Sequence, residues 1–370
     1  RGIKFDIIFL DKTGALGLHN VNTISLNEFT GRIYIVPSSK IVHGIRKLKG
    51  IRRSRDLIQS IFHLLCCLKI YNKDSYSKIY VDRANIFIGA YFSWVKRKIV
   101  FLRLHGILDM FKIFRSPFGK LYSPIKYLSF FAPFEYILCT EDGSPGKYFL
   151  ENFRNTKTKY KVLLNGVDKT NISSDQKKNI KRKLNILRDY PIILFVSRLE
   201  DGKGVMEFVD SITILSKERQ DFYALIIGNG SYFMQIQSKI KGLKNVFCIG
   251  FVTHIMMPAY YQISDIYVSL NSYGNLSNTV LEALQAGNSI NKLKKDEENY
   301  RDLSTGNYLS DTAIFVDRDD LVSGLVTELN LLLNSKEKLW DIKKKSKKKA
   351  KALLKTWDER INEEIELLLK

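Results

Sequence analysis

Short apolar runs that alternate with helical stretches constrain the fold of residues 191–287 more than any other feature of this chain. Four runs have the composition of buried parallel strands: 191–196, 224–227, 246–251 and 265–270. Between the first two, the stretch 205–215 places Phe208, Ile212 and Leu215 on one helical face. Strands that alternate with helices predict an α/β fold, in which helices cover a parallel sheet.

The loop that follows the first of these runs carries two cations. Arg198 and Lys203 lie five residues apart in the sequence SRLEDGKG, directly after a predicted strand. Ligands of open parallel sheets bind at the C-terminal ends of the strands. A glycine-bearing loop with two positive charges at that place suits a diphosphate. The alternative is a surface ion pair between Arg198 and Glu200 or Asp201.

A second candidate anion site lies in the run 271–287, which passes from an apolar strand through a polar turn into a helix that ends at glycine. The first amides of a helix have no intrahelical partner and lie at the positive end of its dipole. The amides near Asn278, Thr279 and Val280 are therefore candidate donors to an anion. Glu282, one turn into the helix, is placed to accept hydrogen bonds from hydroxyl groups on the same ligand, or is an ordinary first-turn carboxylate. A nucleotide sugar satisfies both features.

The order of these motifs resembles the GT-B glycosyltransferases, specifically the family 4 group of retaining, nucleotide-sugar-dependent enzymes. The matching segments follow one another in the family's order: RLHG at 103–106, VLLNGVD at 162–168, FVSRLEDGKG at 195–204, IIGNG at 226–230, CIGFV at 248–252 and NSYGNLSNTVLEALQAG at 271–287. Each segment alone is only weakly specific for the family, whereas the order in which the segments occur is much more specific. The resemblance covers most of the chain and is weakest at its N-terminal end.

The resemblance implies two Rossmann-like domains that face a cleft, a domain count that the length of 370 residues also favours. We expect an acceptor-side domain at 1–170, a nucleotide-sugar domain at 171–348 and a C-terminal helix at 349–370 that packs back on the first domain. The N-terminal half contains six candidate strands: 5–10, 32–36, 78–81, 98–104, 136–140 and 160–164. Because the first of them is similar to the family's second strand, we expect the family's first strand and its glycine-rich loop to be missing.

The resemblance also implies the chemistry, a retaining transfer of a sugar from a UDP- or GDP-sugar to a glycan or lipid-linked acceptor without a metal ion or other cofactor. Arg198 and Lys203 match the residues that bind the diphosphate, where fixed positive charge stabilises the departing group. Glu282 matches the residue that binds the nucleotide ribose. His105 matches a histidine near the transferred sugar, or is a packed residue at a strand end. Further candidate donor-site residues lie in turns after predicted strands: Asn165, Gly228, Gly230 and Phe251.

Two positions depart from the family pattern. The first glutamate of the paired motif should lie eight residues before Glu282, where this chain has Gly274. After Gly287 the usual apolar strand and glycine turn are replaced by the polar sequence NSINKLKKDEEN, so we expect a shortened or missing segment there. Both departures leave open a catalytically silent scaffold with the same fold. A nonhydrolysing nucleotide-sugar epimerase shares the architecture and is a further alternative.

The chain contains 59 Lys and Arg residues and 38 Asp and Glu residues, which gives a formal charge of +21. This charge favours anionic partners. Residues 40–55 interleave cations with aliphatic residues, which is typical of a helix that lies on an anionic membrane, or of a solvated helix face. A second basic run, 343–351, lacks aromatic residues, and the chain has no nucleic-acid recognition motif, so no nucleic-acid partner is expected. With no apolar run of membrane-spanning length and no signal peptide, we expect a cytoplasmic protein that attaches peripherally to the membrane.

The cysteine and histidine spacing predicts no metal site. The four cysteines lie in apolar stretches, which predicts buried, reduced thiols: Cys66, Cys67, Cys139 and Cys248. Four histidines outside the candidate site show no ligand spacing: His19, His43, His63 and His254.

Overall fold

The computed structural model describes residues 7–10, 33–36, 52–73, 76–153, 158–272, 274 and 276–369. The strands in this part of the chain are β1 (Ile7–Leu10), β2 (Ile33–Val36), β3 (Lys78–Asp82), β4 (Ile99–Leu104), β5 (Tyr136–Thr140), β6 (Lys159–Leu163), β7 (Ile192–Val196), β8 (Tyr223–Ile227), β9 (Val246–Gly250), β10 (Ile266–Ser269), β11 (Ser289–Leu293) and β12 (Ala313–Val316). The α-helices are α1 (Arg52–Lys73), α2 (Ile86–Trp94), α3 (Leu108–Arg115), α4 (Gly119–Tyr122), α5 (Pro124–Ser129), α6 (Gly146–Asn152), α7 (Ser174–Lys183), α8 (Val205–Glu218), α9 (Phe233–Lys239), α10 (Met257–Ile263), α11 (Asn278–Ala286), α12 (Thr305–Leu309), α13 (Leu321–Asn334), α14 (Lys336–Leu353) and α15 (Trp357–Leu369).

The described strands form three sheets, and the α/β class predicted from the sequence is confirmed. A two-stranded parallel sheet joins β1 and β2, and a four-stranded sheet has the order β3-β4-β5-β6. The third sheet has six parallel strands in the order β12-β11-β10-β7-β8-β9. The basic cluster at 40–55 falls on residues whose side chains lie outside the described part of the chain.

The six-stranded sheet changes winding direction between β7 and β10. From β7 the chain proceeds outward through β8 to β9, and it then returns to the middle and proceeds through β10 to β12 on the other side. Ile193 of β7 pairs with Ile266 of β10 at this junction. The loops that leave these two strands diverge to opposite faces of the sheet and open a crevice, which is where doubly wound folds bind ligands.

Both faces of this sheet are buried at the central strands β7, β8 and β10, which explains why these three strands read as continuous apolar runs. Along β7, Ile193 and Phe195 belong to one core cluster, whereas Ile192 and Leu194 belong to the cluster on the opposite face. All four side chains are at most 1% exposed. Helices therefore cover the sheet on both sides, as the alternation of strands and helices predicted.

Strand β11 corrects the expectation of a shortened or missing segment after Gly287. Ser289–Leu293 pairs with β10 on one side and with β12 on the other, and every residue of it is buried. The polar residues Asn291 and Lys292 are 0% exposed. Parallel pairing on both edges provides hydrogen-bond partners for the backbone N–H and C=O groups of β11. A polar sequence therefore occupies a strand position at which hydropathy alone predicts apolar residues.

The C-terminal region also differs from the single helix expected near 349–370. Helix α14 ends at Leu353, and α15 begins at Trp357. Thr356 and Glu359 start the second helix with a capping box: the Thr356 amide donates to Glu359 Oε2 at 2.7 Å, and the Glu359 amide donates to Thr356 Oγ1 at 3.2 Å. Arg360 of α15 donates to the carbonyl oxygen of Leu164 at 2.7 Å, which fixes this helix beside β6.

The described residues divide into two compact units. Unit 1 comprises residues up to 103 together with 116–137 and 158–159, and unit 2 comprises 104–115, 138–153 and 160–369. In unit 1, Gly89 of α2 allows close packing, because a Cβ there would lie 2.6 Å from Val81. None of the described helices is both long enough and apolar enough to span a membrane. The four cysteines form no disulfide; Cys67 and Cys139 are buried, and Cys66 and Cys248 are half-buried.

Candidate functional site

A cavity of about 190 Å³ lies at the crevice where the six-stranded sheet changes winding direction. It brings together Arg198, Lys203 and Thr279, three of the residues that the sequence singled out. Its walls come from the C-terminal ends of β7 and β10 and the loops after them: Phe195, Val196, Ser197, Arg198, Lys203, Val268, Ser269, Leu270, Asn271, Ser277 and Thr279. Two cations and the start of α11 thus line the same cavity.

The glycines of the IIGNG segment support the loop that carries Arg198. Gly228 and Gly230 have φ values of +142° and +157°, which glycine tolerates better than any other residue. A Cβ on Gly228 would overlap the carbonyl oxygen of Ser197, and one on Gly230 would overlap that of Leu199. The amide of Leu199 donates to the carbonyl oxygen of Asn229 at 2.9 Å. These glycines therefore act on the cavity by holding the backbone on both sides of Arg198.

A second backbone contact joins the β7 loop to the β10 loop. Gly204, with φ of +70°, caps the N-terminus of α8, and a Cβ there would lie 2.7 Å from the carbonyl oxygen of Leu270. Ser272 donates to the carbonyl oxygen of Gly202 through both its amide, at 3.0 Å, and its hydroxyl, at 3.1 Å. The two loops that line the cavity are thus bound to each other before any ligand enters.

The two cations of the β7 loop differ in their surroundings. Arg198 is 69% exposed, and its Nη1 lies 2.9 Å from Glu200 Oε2, so the surface ion pair considered from the sequence is present. An exposed pair of this kind contributes about 0–1 kcal/mol and leaves Arg198 free to turn toward an anion. Lys203 is half-buried; burial, and then the Arg198 guanidinium, lower the pKa of its ammonium below 10.5, against the opposing effect of Glu200. Two neighbouring cations that oppose each other favour a ligand with negative charge.

The start of α11 differs in detail from the three amides expected at 278–280. The amide of Val280 donates to the carbonyl oxygen of Ser277 at 3.0 Å, and the Val280 side chain is fully buried. The amides of Asn278 and Thr279 precede this first bond and remain the candidate donors. The Ser277 and Thr279 hydroxyls lie 2.9 Å apart, which places two more polar groups at the cavity wall. The Asn278 side chain accepts a hydrogen bond from Asn165 Nδ2 at 2.7 Å.

Glu282 lies one turn beyond the cavity wall on α11. Its Oε1 is 3.2 Å from Nε2 of His254, a residue that the sequence gave no reason to select because it precedes α10 in a separate motif. The Glu282 side chain is 20% exposed, and that of His254 is 84% exposed. On the buried side, burial, then Tyr267 and Glu282, raise the pKa of Tyr261 well above its usual range. The carboxylate therefore has a tyrosine behind it and a solvent-facing histidine in front.

The remaining candidates do not line this cavity. His105 is exposed at the end of β4, beside Gly106, which packs against the Asp142 carboxylate. Phe251 is 76% exposed after β9. Gly274 lies against the backbone of the loop after β5, since a Cβ there would be 2.8 Å from the carbonyl oxygen of Asp142. A glutamate at 274, as in the family's motif, would require this loop to move.

Comparisons with known proteins find a family match over the part of the chain that contains the cavity. Residues 176–349 match the family model described as glycosyl transferases group 1. This part of the chain is thus similar to the group 1 glycosyl transferases. It contains the six-stranded sheet, the cavity, both cations and Glu282.

Individual relatives resemble shorter stretches. An uncharacterized glycosyltransferase of Methanocaldococcus jannaschii is 27% identical over 145 residues, which are 37% of this chain and 37% of that protein. The alpha-monoglucosyldiacylglycerol synthase of Acholeplasma laidlawii is 27% identical over 121 residues, which are 32% of this chain and 30% of the synthase. The chain thus matches about a third of the length of these relatives.

Solved structures match over nearly the whole chain and show the fold. Sucrose-phosphate synthase from Thermosynechococcus elongatus superposes with a TM-score of 0.71 at 12% identity, over 99% of this chain and 88% of that one. HepE from Anabaena, solved with UDP, gives a TM-score of 0.68 at 15% identity, over 98% of this chain and 100% of that one. The GT-B fold expected from the order of motifs is confirmed.

Proposed function

We propose that this chain is a glycosyltransferase that moves a sugar from a nucleoside diphosphate sugar to an acceptor hydroxyl. The observation that carries the proposal is the cavity at the switch point, which is lined by Arg198, Lys203 and the first turn of α11. Two cations and a helix N-terminus in one cavity suit a diphosphate. The family match of residues 176–349, and the UDP present in the HepE structure, support the same class of ligand.

Each residue then has a role in the transfer. When the bond between the sugar and the diphosphate breaks, negative charge grows on the departing phosphate oxygen, and Arg198 and Lys203 stabilise that charge. Glu282 accepts hydrogen bonds from the ribose hydroxyls, and His105 donates to the sugar or to the leaving phosphate. The acceptor hydroxyl attacks the anomeric carbon from the face that the diphosphate leaves, and its proton passes to the departing phosphate oxygen. The anomeric configuration is retained, and no protein nucleophile is required.

The donor base, the acceptor and the location belong to the same proposal. We expect a UDP- or GDP-sugar donor and a glycan or lipid-linked acceptor of the cell envelope, on the cytoplasmic face of the membrane. The formal charge of +21 supports an anionic surface, and the Acholeplasma relative is by name a glycolipid synthase. In the described part of the chain no group of three or more His, Cys, Asp or Glu side chains could hold a metal ion. Metal-independent binding is tested by repeating the binding assay with a chelator.

A nucleotide-binding scaffold without turnover is the second candidate. One observation favours it: Gly274 stands where the family's motif has its first glutamate, and the loop after β5 fills the space that a side chain there would need. Such a scaffold would bind the nucleotide through Arg198 and Lys203 but would not consume the sugar donor. Binding and turnover therefore have to be measured separately.

Binding is tested by a thermal-shift panel of UDP, GDP, ADP and their glucose conjugates on the full chain. A ligand that binds only the native state raises the unfolding midpoint, by an amount equivalent to roughly 2.7 kcal/mol at a hundredfold excess over Kd. One nucleotide should give a shift, and both Arg198→Ala and Lys203→Ala should lose it. Lys241→Ala, an exposed lysine outside the cavity, is the matched control and should keep the shift.

Turnover is tested with the donor that the panel selects, by following release of free nucleoside diphosphate in the presence of lipid and glycan extracts. Release that disappears in Lys203→Ala supports the transferase. Binding without release in any extract favours the scaffold. No shift with any nucleotide would overturn both readings, because both require the diphosphate site.

A further inference from the structure

Unit 1 exposes large apolar side chains within one short segment. Phe118, Leu121 and Leu128 are 60%, 79% and 57% exposed. Single exposed apolar residues are ordinary on protein surfaces. Three of them lie within eleven residues, in a segment whose other described side chains are mostly exposed or half-buried, which makes this an unusually apolar stretch of surface.

Two short, connected helices and the residue before them carry these side chains. Helices α4 and α5 are separated by Ser123 alone, which ends the first helix and begins the second, and Pro124 fixes the first turn of α5. The Lys120 ammonium of α4 lies 5.4 Å from the ring centroid of Tyr127 in α5, which joins the two helices. The buried residues Ser129 and Phe130 anchor the end of the segment.

Charge accompanies the apolar residues. Residues 116–134 contain no Asp or Glu, and their cations are Lys120 and Lys126, both exposed. Helix α2, which packs against α5, ends nearby: Ser93 donates to the carbonyl oxygen of Pro133 at 2.8 Å. The next residues, Trp94 and Val95, are 46% and 60% exposed, and Lys96 and Arg97 follow. Basic residues are thus close in sequence to exposed apolar residues both at 118–128 and at 94–97.

We infer that the 118–128 patch, which consists of Phe118, Lys120, Leu121, Lys126 and Leu128, docks the protein on an anionic lipid surface. The apolar tips enter the boundary between headgroups and acyl chains, and the ammonium groups contact the lipid phosphates. An acidic protein would match the two lysines but would leave the exposed side chains of Phe118, Leu121 and Leu128 without an apolar partner. Docking does not depend on the donor site; only its purpose, to bring that site to a lipid-linked acceptor, rests on the proposed function.

The experiment is co-sedimentation of the full chain with vesicles of phosphatidylcholine alone or with phosphatidylglycerol added. The wild type should partition roughly tenfold more strongly onto the phosphatidylglycerol vesicles, and salt should weaken this preference. The double variant Phe118→Ser/Leu121→Ser should lower partitioning roughly tenfold or more, because two exposed apolar side chains no longer enter the lipid. Lys120→Gln/Lys126→Gln should remove about tenfold of the preference for phosphatidylglycerol while binding to neutral vesicles stays unchanged.

The matched control lies on α14 in unit 2, where Trp340 is 63% exposed and the Lys344 ammonium lies 5.1 Å from its ring centroid. Trp340→Ser/Lys344→Gln removes a similar aromatic and cation from a similarly basic surface, and it should partition like the wild type. Failure of the wild type to bind phosphatidylglycerol vesicles would overturn the inference, and so would patch variants that bind as well as the wild type. Unfolding midpoints and the nucleotide shift are recorded for every variant, so that a lost fold or a failed donor site is distinguished from lost docking.

Discussion

Gly228 lies so close to Ser197 that any Cβ at position 228 would overlap the Ser197 carbonyl oxygen. Ser197 directly precedes Arg198, and its amide donates to the carbonyl oxygen of Ile227 at 3.1 Å. The end of β8 thus fixes the path of the chain as it leaves β7, and with it the backbone position of Arg198. Gly228 therefore sets the geometry of the proposed diphosphate site through its contact with the backbone of Ser197.

Gly228→Ala is therefore expected to damage both stability and binding. The substitution adds a steric overlap to an unfavourable φ, and we expect it to lower the free energy of unfolding by about 3 kcal/mol and to weaken nucleotide binding. Gly242→Ala is the control, since Gly242 also has a positive φ, +90°, but no atom lies within 4 Å of its built Cβ. That variant should lose only about 1 kcal/mol and no nucleotide affinity. Denaturant unfolding that gave equal losses for the two variants would contradict the steric argument.

The half-buried Lys203 makes nucleotide affinity depend on pH. Burial, and then Arg198, lower the pKa of Lys203 below 10.5, so its ammonium loses its proton at a lower pH than that of an exposed lysine. Affinity for UDP should be constant near neutral pH and should fall as the pH rises through this lowered pKa. In Lys203→Arg the guanidinium stays charged and the fall should be absent.

Because uracil also titrates at alkaline pH, the quantity to measure is the ratio of the two proteins' Kd values by calorimetry across the pH range. The ratio should grow toward roughly tenfold or more in favour of Lys203→Arg, the contribution expected of a hydrogen bond to a charged group. A ratio that stays constant with pH would show that Lys203 does not bind the diphosphate as a cation.

Lys292 is a buried cation in the middle of the sheet. Its Nζ lies 3.5 Å from Asp302 Oδ1, and both side chains are at most 1% exposed. Burial lowers the pKa of Lys292 to about 8, against the opposing effect of Asp302. The unfolded chain binds this proton up to about pH 10.5, so between about pH 8 and 10.5 it holds more protons than the folded chain. The contribution of Lys292 to stability is complete above that window and is lost as the pH falls through about 8.

The wild type should thus gain stability relative to Lys292→Met as the pH rises. Between pH 7.5 and 9.5 the difference in their free energies of unfolding should change by about 2 kcal/mol in favour of the wild type. Lys294→Met, at a half-exposed lysine that pairs with Asp317 at 2.6 Å, is the control and should show a much smaller change. Guanidinium unfolding at both pH values measures the differences, and a pH-independent difference for Lys292→Met would rule out an ammonium that titrates in this window.

The sequence predicted four of the six strands of this sheet, β7 to β10, and it did best where a strand is buried on both faces. The runs at 191–196 and 224–227 became β7 and β8 almost residue for residue, since a doubly buried strand has to be apolar at every position. Hydropathy failed at β11, where Lys292 and Asn291 are fully buried in a strand that is paired on both edges. That failure follows from tertiary context, because Asp302, the partner of Lys292, is too distant in sequence for any local pattern to include it.

The site was predicted unevenly for related reasons. Arg198 and Lys203 lie in one loop after one strand, so local sequence was enough to bring them together. His254 lies beside Glu282 through the packing of two separate segments, and its spacing carried no signal. The sequence does contain a signal for the break before α15, because Thr356 and Glu359 have the spacing of a capping box, which marks the start of a helix.

Glu282 is expected to bind the nucleoside part of the ligand and not its phosphates. The carboxylate lies beyond the cavity that holds Arg198 and Lys203, and it faces His254 at 3.2 Å. Glu282→Gln should therefore weaken UDP binding roughly tenfold or more, through the loss of charge-assisted hydrogen bonds to the ribose, and should leave binding of inorganic pyrophosphate unchanged. Calorimetry with both ligands separates the two parts of the site. Lys203→Ala provides the opposite control, because it should weaken both ligands alike. If Glu282→Gln weakened pyrophosphate as much as UDP, the carboxylate would be acting through the fold of α11 and not through the ribose.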